Sequence, residues 1–216
     1  MRLVVGKSAT ALFFAFATAC QTSPESSPIL SDRTSSTRVA APDAETQAYP
    51  TDLRRTSLIV SDIDESLKLY RDILGFEVNY DAEVTMSGMA LPAGEPGAKA
   101  RLVLVGSNDP WVGWIGLLQW IDPALAPPAQ PRRRMGIGDA LLVFNTEKVD
   151  AHCEAVAKLP GVFVTAPASN TTYPGRPKAD GSQGAPIVVR TCYLFDRDGY
   201  FMELNKVLDR EAYNAG

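Results

Sequence analysis

The chain has 216 residues, 45% hydrophobic and 21% charged, a globular composition with room for one domain and accessory segments. A formal net charge of −4 lacks the basic footprint of a nucleic-acid binder, so no such partner is expected. The one basic run, Arg132-Arg133-Arg134, reads as solvated linker rather than as a phosphate site.

The N-terminus reads as a secretory signal. Arg2 and Lys7 precede an apolar stretch from Ala9 to Ala19, and small residues lead into Cys20. That is the order of a signal peptide over residues 1–20, and it falls short of the roughly 20 apolar residues a spanning helix needs. Ala17-Thr18-Ala19-Cys20 resembles a bacterial lipobox, with Ala where Leu is usual. The resemblance implies a diacylglyceryl group on the Cys20 sulfur and an N-acyl chain such as palmitate, a combination that anchors stably to a membrane. The residue after Cys20 is Gln21 rather than the Asp of an inner-membrane retention signal. The expected location is therefore the cell envelope, on the outer membrane facing the periplasm. Residues 21–50 are rich in Ser, Thr, Ala and Pro and cannot bury enough apolar surface to order themselves. They read as a tether about 30 Å long on average.

From residue 51 one pattern occurs twice. Leu53 to Val60 alternates as a strand, with Thr56, Leu58 and Val60 on one face and Arg55, Ser57 and Ile59 on the other. Asp62, with Glu65 three residues on, opens a helix as a capping box. Ile63, Leu67, Tyr70 and Ile73 or Leu74 form its apolar stripe, and Gly75 ends it. Strands are predicted to begin at Phe76–Tyr80 and to run over Ala100–Val105 and Trp114–Ile121. After a linker over 126–136 the order returns. Asp139–Phe144 is a strand, and Asn145 or Thr146 caps a helix bearing Val149, Cys153 and Val156. Val162–Val164 is a short strand, Thr165–Pro186 a long loop fit to be a lid, and Ile187–Phe195 and Tyr200–Asn205 a hairpin closed at Asp196-Arg197-Asp198-Gly199. The expected fold is α+β: two βαβββ modules, over 51–125 and 137–208, forming a cupped mixed sheet, with a tail at 209–216. An oxidising compartment permits a bond between Cys153 and Cys192, but two isolated buried thiols are the expected arrangement. The single histidine, His152, is expected to face solvent from its helix.

Ser57 to Phe76 resembles the opening of a glyoxalase-type domain, and Phe195-Asp-Arg-Asp-Gly-Tyr-Phe-Met-Glu-Leu-Asn205 its closing hairpin. The resemblance, to the vicinal oxygen chelate superfamily, covers about Asp52 to Val207. It implies a cup that holds a small ligand and often a divalent metal, with ligands on the first and last strands of each module. Those positions carry Arg55, Leu117 or Gly116, Asp139 and Glu203. Arg55 would repel a metal, and Leu and Gly cannot ligate. The usual metal set is therefore not expected; if a divalent ion binds, Asp139 and Glu203 are its donors, with Gln119. Arg55, Asp139 and Glu203 are instead the candidate catalytic residues, the guanidinium stabilising an oxyanion and a carboxylate acting as base. The alternative is an internal ion pair among them. Ser57, Trp114, Gln119 and Asn205 are the candidate substrate contacts, with Ile59, Leu141, Val143, Trp111, Trp120 and Tyr173 as further wall or core. Three readings follow: a lyase or isomerase acting on a small oxygenated molecule, a non-catalytic sequestering lipoprotein, or a metal-dependent glyoxalase- or dioxygenase-like enzyme. A homodimer is implied by the resemblance.

Overall fold

A computed structural model describes residues 51–178, 180–210 and 213. The signal segment 1–20 with Cys20, the tether 21–50 and most of the tail 209–216 lie outside the described residues.

The first module runs β1 (Arg55–Ile59), α1 (Ile63–Leu67, continuing as a π-helical stretch over Lys68–Ile73), β2 (Glu77–Thr85), β3 (Lys99–Gly106) and β4 (Trp114–Asp122). The second runs β5 (Leu141–Asn145), α2 (Val149–Val156), β6 (Phe163–Tyr173), β7 (Ile187–Phe195) and β8 (Phe201–Val207). Each forms a four-stranded mixed sheet, ordered β1-β4-β3-β2 and β5-β8-β7-β6. In each, the strand before the helix lies parallel to the last strand, and the rest pair antiparallel. This is the expected pair of βαβββ modules.

Both helices pack on the same core. Leu58, Val103, Val105 and Leu117 from the first sheet, and Cys192, Leu194, Met202 and Leu204 from the second, join Ile63, Leu67, Tyr70, Val149 and Val156 in one buried cluster. Strand alternation then assigns the other face of each sheet. Arg55, Ser57, Trp114 and Gly116 lie on the helix-free face of the first sheet, and Tyr193, Glu203 and Asn205 on that of the second.

Helix α1 starts where its cap predicts. The Asp62 side chain accepts from the Glu65 N–H at 3.0 Å, and Gly75 adopts φ +79° past the end, a left-handed conformation that costs glycine little. The reciprocal half of the box is not made, because Glu65 pairs with Lys68 at 2.5 Å and with Arg197 at 3.8 Å.

Four expectations are corrected. Cys153 and Cys192 are not isolated thiols; a disulfide ties α2 to β7, because the helix packs its Cys153 face directly over the middle of that strand. Thr165–Pro186 is not all loop, since β6 extends to Tyr173. Its register shifts between Val164 and Ala166 and again between Ala166 and Ser169, and such bulges in an edge strand accommodate Pro167, which lacks an N–H to donate. Asp139 lies before β5 rather than in it. His152 is half-buried: its Nδ1 sits 3.2 Å from Thr146 Oγ1, and burial lowers its pKa. Thr146 also accepts from the Lys148 N–H at 3.2 Å, although the helix N-cap is Lys148 itself.

The two modules are joined at the Asp196–Tyr200 turn. The Tyr200 hydroxyl accepts from the Ile59 N–H at 2.8 Å and donates to the Ile59 carbonyl at 2.9 Å. Asp198 accepts from the Ser61 N–H at 3.0 Å. The Tyr70 hydroxyl donates to Asp196 at 3.2 Å.

Candidate functional site

The residues singled out in the sequence fall in four places. Arg55 and Trp114 line a cleft of about 780 Å³ between the β1 and β5 edges, with Leu141 and Val143 on the opposite wall. Ser57 and Asp139 line a separate cavity of about 250 Å³ with Arg132, Tyr200 and Phe201. Glu203 and Asn205 share the helix-free face of the second sheet. Gln119 is on the other side of its own sheet.

Asp139 is consumed by a turn. One oxygen accepts from the Gly136 N–H at 2.7 Å and the other pairs with Arg132. The Asp139 N–H returns to the Gly136 carbonyl at 3.2 Å. An acidic side chain that closes a Gly-flanked turn satisfies backbone donors a strand position would leave elsewhere. Gln119 is one residue out of phase with its neighbours Leu118 and Trp120. Its Oε1 accepts from the Ile63 N–H at 2.9 Å and so secures the first turn of α1. It is thus a helix-capping residue on the core side, not a contact in the cup. No ion pair or hydrogen bond joins Arg55 to Asp139 or Glu203 among the described residues.

Register identifies what stands opposite what. Ser57 is the partner of Gly116 in β1–β4, and Val143 the partner of Glu203 in β5–β8. Gly116 rather than Leu117 is therefore the first module's counterpart of Glu203. A Cβ on Gly116 would come within 2.8 Å of Ser57 Oγ and 3.3 Å of the Arg55 side chain, so these two side chains already fill the space. Trp114 donates its indole N–H to the Asp109 carbonyl at 3.1 Å, and Arg54 covers the exposed Trp111 ring at 4.0 Å. Trp120 is buried with Leu118, Ala98 and Ala100 beneath the β2–β3 connection, where Met86 and Ala93 pack on it.

Glu203 is 8% exposed. Oε1 accepts from the Asn205 amide at 3.2 Å. Tyr193, its Cα partner across β7–β8, stacks on Phe201 with centroids 6.1 Å apart and planes 6° from parallel. The Tyr193 and Tyr173 hydroxyls meet at 3.5 Å. That contact, with burial and the Glu203 charge behind it, pushes the Tyr173 hydroxyl up to about 12. Below that pH Tyr173 is neutral. Tyr193 and Phe201 were legible in principle: pairing backwards across the Asp-Arg-Asp-Gly turn sets Tyr193 beside Glu203, and Phe201 is two residues from it. Tyr173 was expected among the wall residues, but on a loop rather than at the end of β6.

A family model for the Glyoxalase/Bleomycin resistance protein/Dioxygenase superfamily matches residues 52–204. The chain belongs to this superfamily. Among solved structures, the first of the following shares the fold. A glyoxalase family protein from Bacillus cereus aligns with TM-score 0.56 at 15% identity, over 77% of this chain and 100% of that one. The fosfomycin resistance protein FosX from Listeria monocytogenes, with Mn(II) and sulfate, aligns with TM-score 0.39 at 18% identity, over 73% and 93%. TnmS3, an antibiotic-binding protein from Streptomyces, aligns with TM-score 0.37 at 20% identity, over 73% and 96%. No curated protein matches the sequence.

The superfamily's metal is tested by the donors present. A divalent ion needs several N or O donors converging on one point. The helix-free face of the second sheet brings to Glu203 only neutral groups, the Asn205 amide and the Tyr193 and Tyr173 hydroxyls; Gly116 replaces its counterpart, and Asp139 is held in its turn by Arg132. Among the described residues no group of three His, Cys, Asp or Glu side chains forms a metal site. The residues do not fit the metal.

Proposed function

We propose that this chain is a binding protein for a small organic molecule, held against the helix-free face of the second module. The observation that carries the reading is the buried carboxylate of Glu203, ringed by Asn205, Tyr193, Tyr173 and Phe201 and adjoining the inter-module cleft through Val143. The adjoining cleft of about 780 Å³, lined by both polar and apolar side chains, has room for a small organic molecule. Arg55 and Trp114 supply the far wall. Thermal stabilisation by a compound that mass spectrometry then recovers unchanged would support binding without chemistry. A compound library that gives no saturable binding would refute it.

The lyase or isomerase reading survives in a reduced form. The same buried carboxylate favours it, with Glu203 as base but without Asp139 or Arg55 beside it. Turnover that is lost in Glu203→Gln would establish it over the binding role.

We further propose export and anchoring through Cys20, with the domain in the periplasm on the tether 21–50. The Cys153–Cys192 bond supports this, because disulfides form and persist in oxidising compartments. Metabolic labelling with palmitate, lost in Cys20→Ala, tests it. Homodimerisation is proposed from the family resemblance. Light scattering of the purified protein reports on it directly.

A further inference from the structure

The donor set that fails a metal points to another occupant. We infer that Glu203 is the counter-ion for an organic cation, an ammonium or amidinium on an aromatic or apolar body. The inference rests on the binding role proposed for the second module's helix-free face and specifies its ligand.

Glu203 is more than nine-tenths buried, yet no Lys or Arg pairs with it among the described residues. The strands around it offer only neutral groups on this face: Val143 from β5, Thr191 and Tyr193 from β7, Tyr173 from β6. The cations nearest in sequence are paired elsewhere: Lys206 with Glu147 at 2.8 Å, Arg197 with Glu65 at 3.8 Å and Arg210 with Glu147 at 3.7 Å, while Arg190, on the helix side of β7, pairs with Asp150. A buried carboxylate is ordinarily paired, and this one has no cationic partner among the described residues.

The neighbours then select the kind of cation. Asn205 occupies Oε1, and Oε2 accepts no hydrogen bond among the described residues. A metal would want further hard donors and finds aromatic rings. Those rings suit an organic cation, whose charge is attracted to the negative face of an aromatic ring. The stacked Tyr193–Phe201 pair stands beside the carboxylate. Val143 links the position to the cleft walled by Trp114 and Arg55; the apolar body of such a ligand lies along that cleft, with its charge held at Glu203 and away from the guanidinium.

The test uses the purified full-length chain and four probes of similar size, measured by calorimetry: phenethylamine and benzamidine as cations, 2-phenylethanol as the neutral match, and 3-phenylpropionate as the anion. Manganese chloride is a fifth arm. The expected result is saturable binding of at least one cation, tenfold or more tighter than the neutral match. Glu203→Gln should erase that preference. Glu203→Asp, which keeps the charge, should retain it at lower affinity and guards against a folding defect in the first variant. Equal or better binding of the neutral or anionic probe would overturn the cation assignment while leaving the ligand-binding face intact. Manganese binding that depends on Glu203 would overturn it in favour of a metal. Binding of no probe at all would remove both the assignment and the binding role on which it stands.

Discussion

Asp196 offers a quantitative test of the junction between the modules. It is 2% exposed, and one carboxylate oxygen accepts from the Asp198 and Tyr200 N–H groups at 3.0 and 2.8 Å. Burial raises its pKa from the ordinary 3.8 to about 6, with Asp198 adding to the rise and the hydrogen bonds from Tyr200, Tyr70 and Asp198 opposing it. Because the folded value lies above the unfolded one, the native state holds the proton more tightly. Below about pH 4 both states are protonated and the group is neutral in effect. Between pH 4 and 6 the unfolded chain ionises first and stability falls. Above pH 6 the full loss is present, about 3 kcal/mol for a shift of roughly two units. Asp196→Asn keeps an oxygen for the two N–H groups and removes the ionisation, and its amide can donate to the Tyr70 hydroxyl. The difference in unfolding free energy between variant and parent should therefore move in the variant's favour by about 3 kcal/mol as pH rises from 4 to 7. Urea unfolding at steps across that range measures it. Comparing the two proteins cancels carboxylates shifted the other way, such as Asp81, which Arg101 holds below its ordinary value. A difference that stays flat across pH would refute the argument.

Other outcomes follow from single contacts. Replacing Cys153 and Cys192 by Ala opens a link between residues 39 apart and should cost about 4 kcal/mol on loop entropy, read as a lower urea midpoint that the parent reproduces under dithiothreitol. Gln119→Ala removes the acceptor for the Ile63 N–H and should cost about 1–3 kcal/mol while leaving ligand affinity unchanged; a loss of affinity at parental stability would return Gln119 to the site. Gly94→Val places a side chain against the Trp120 indole at φ +66°; the left-handed conformation alone costs about 1–2 kcal/mol, and the displaced β2–β3 connection should shift tryptophan emission to the red. Leu117→Ala, at a fully buried position, should destabilise by about 2–5 kcal/mol.

What the sequence determined by itself was local and periodic. The twofold order of strand, helix and three strands, the Asp62 cap, the glycine stop at Gly75 and the Asp-Arg-Asp-Gly hairpin each follow from residues close together in the chain, where backbone preferences and hydrophobic spacing act directly. The face on which Arg55, Ser57 and Glu203 lie followed from parity, because strand side chains alternate. The tertiary structure alone decided which of those residues meet. Asp139 and Gln119 sit within a residue or two of positions that would have joined the site. One is spent on a turn with Arg132 and the other on the start of α1, since each backbone donor there needs an acceptor whatever the function requires. The Cys153–Cys192 bond and the Tyr173–Tyr193 contact join residues that only sheet register and helix placement bring together. For the same reason Glu203 was recognisable as a site residue from its motif, while its lack of a counter-charge became visible only once every neighbouring strand was in place.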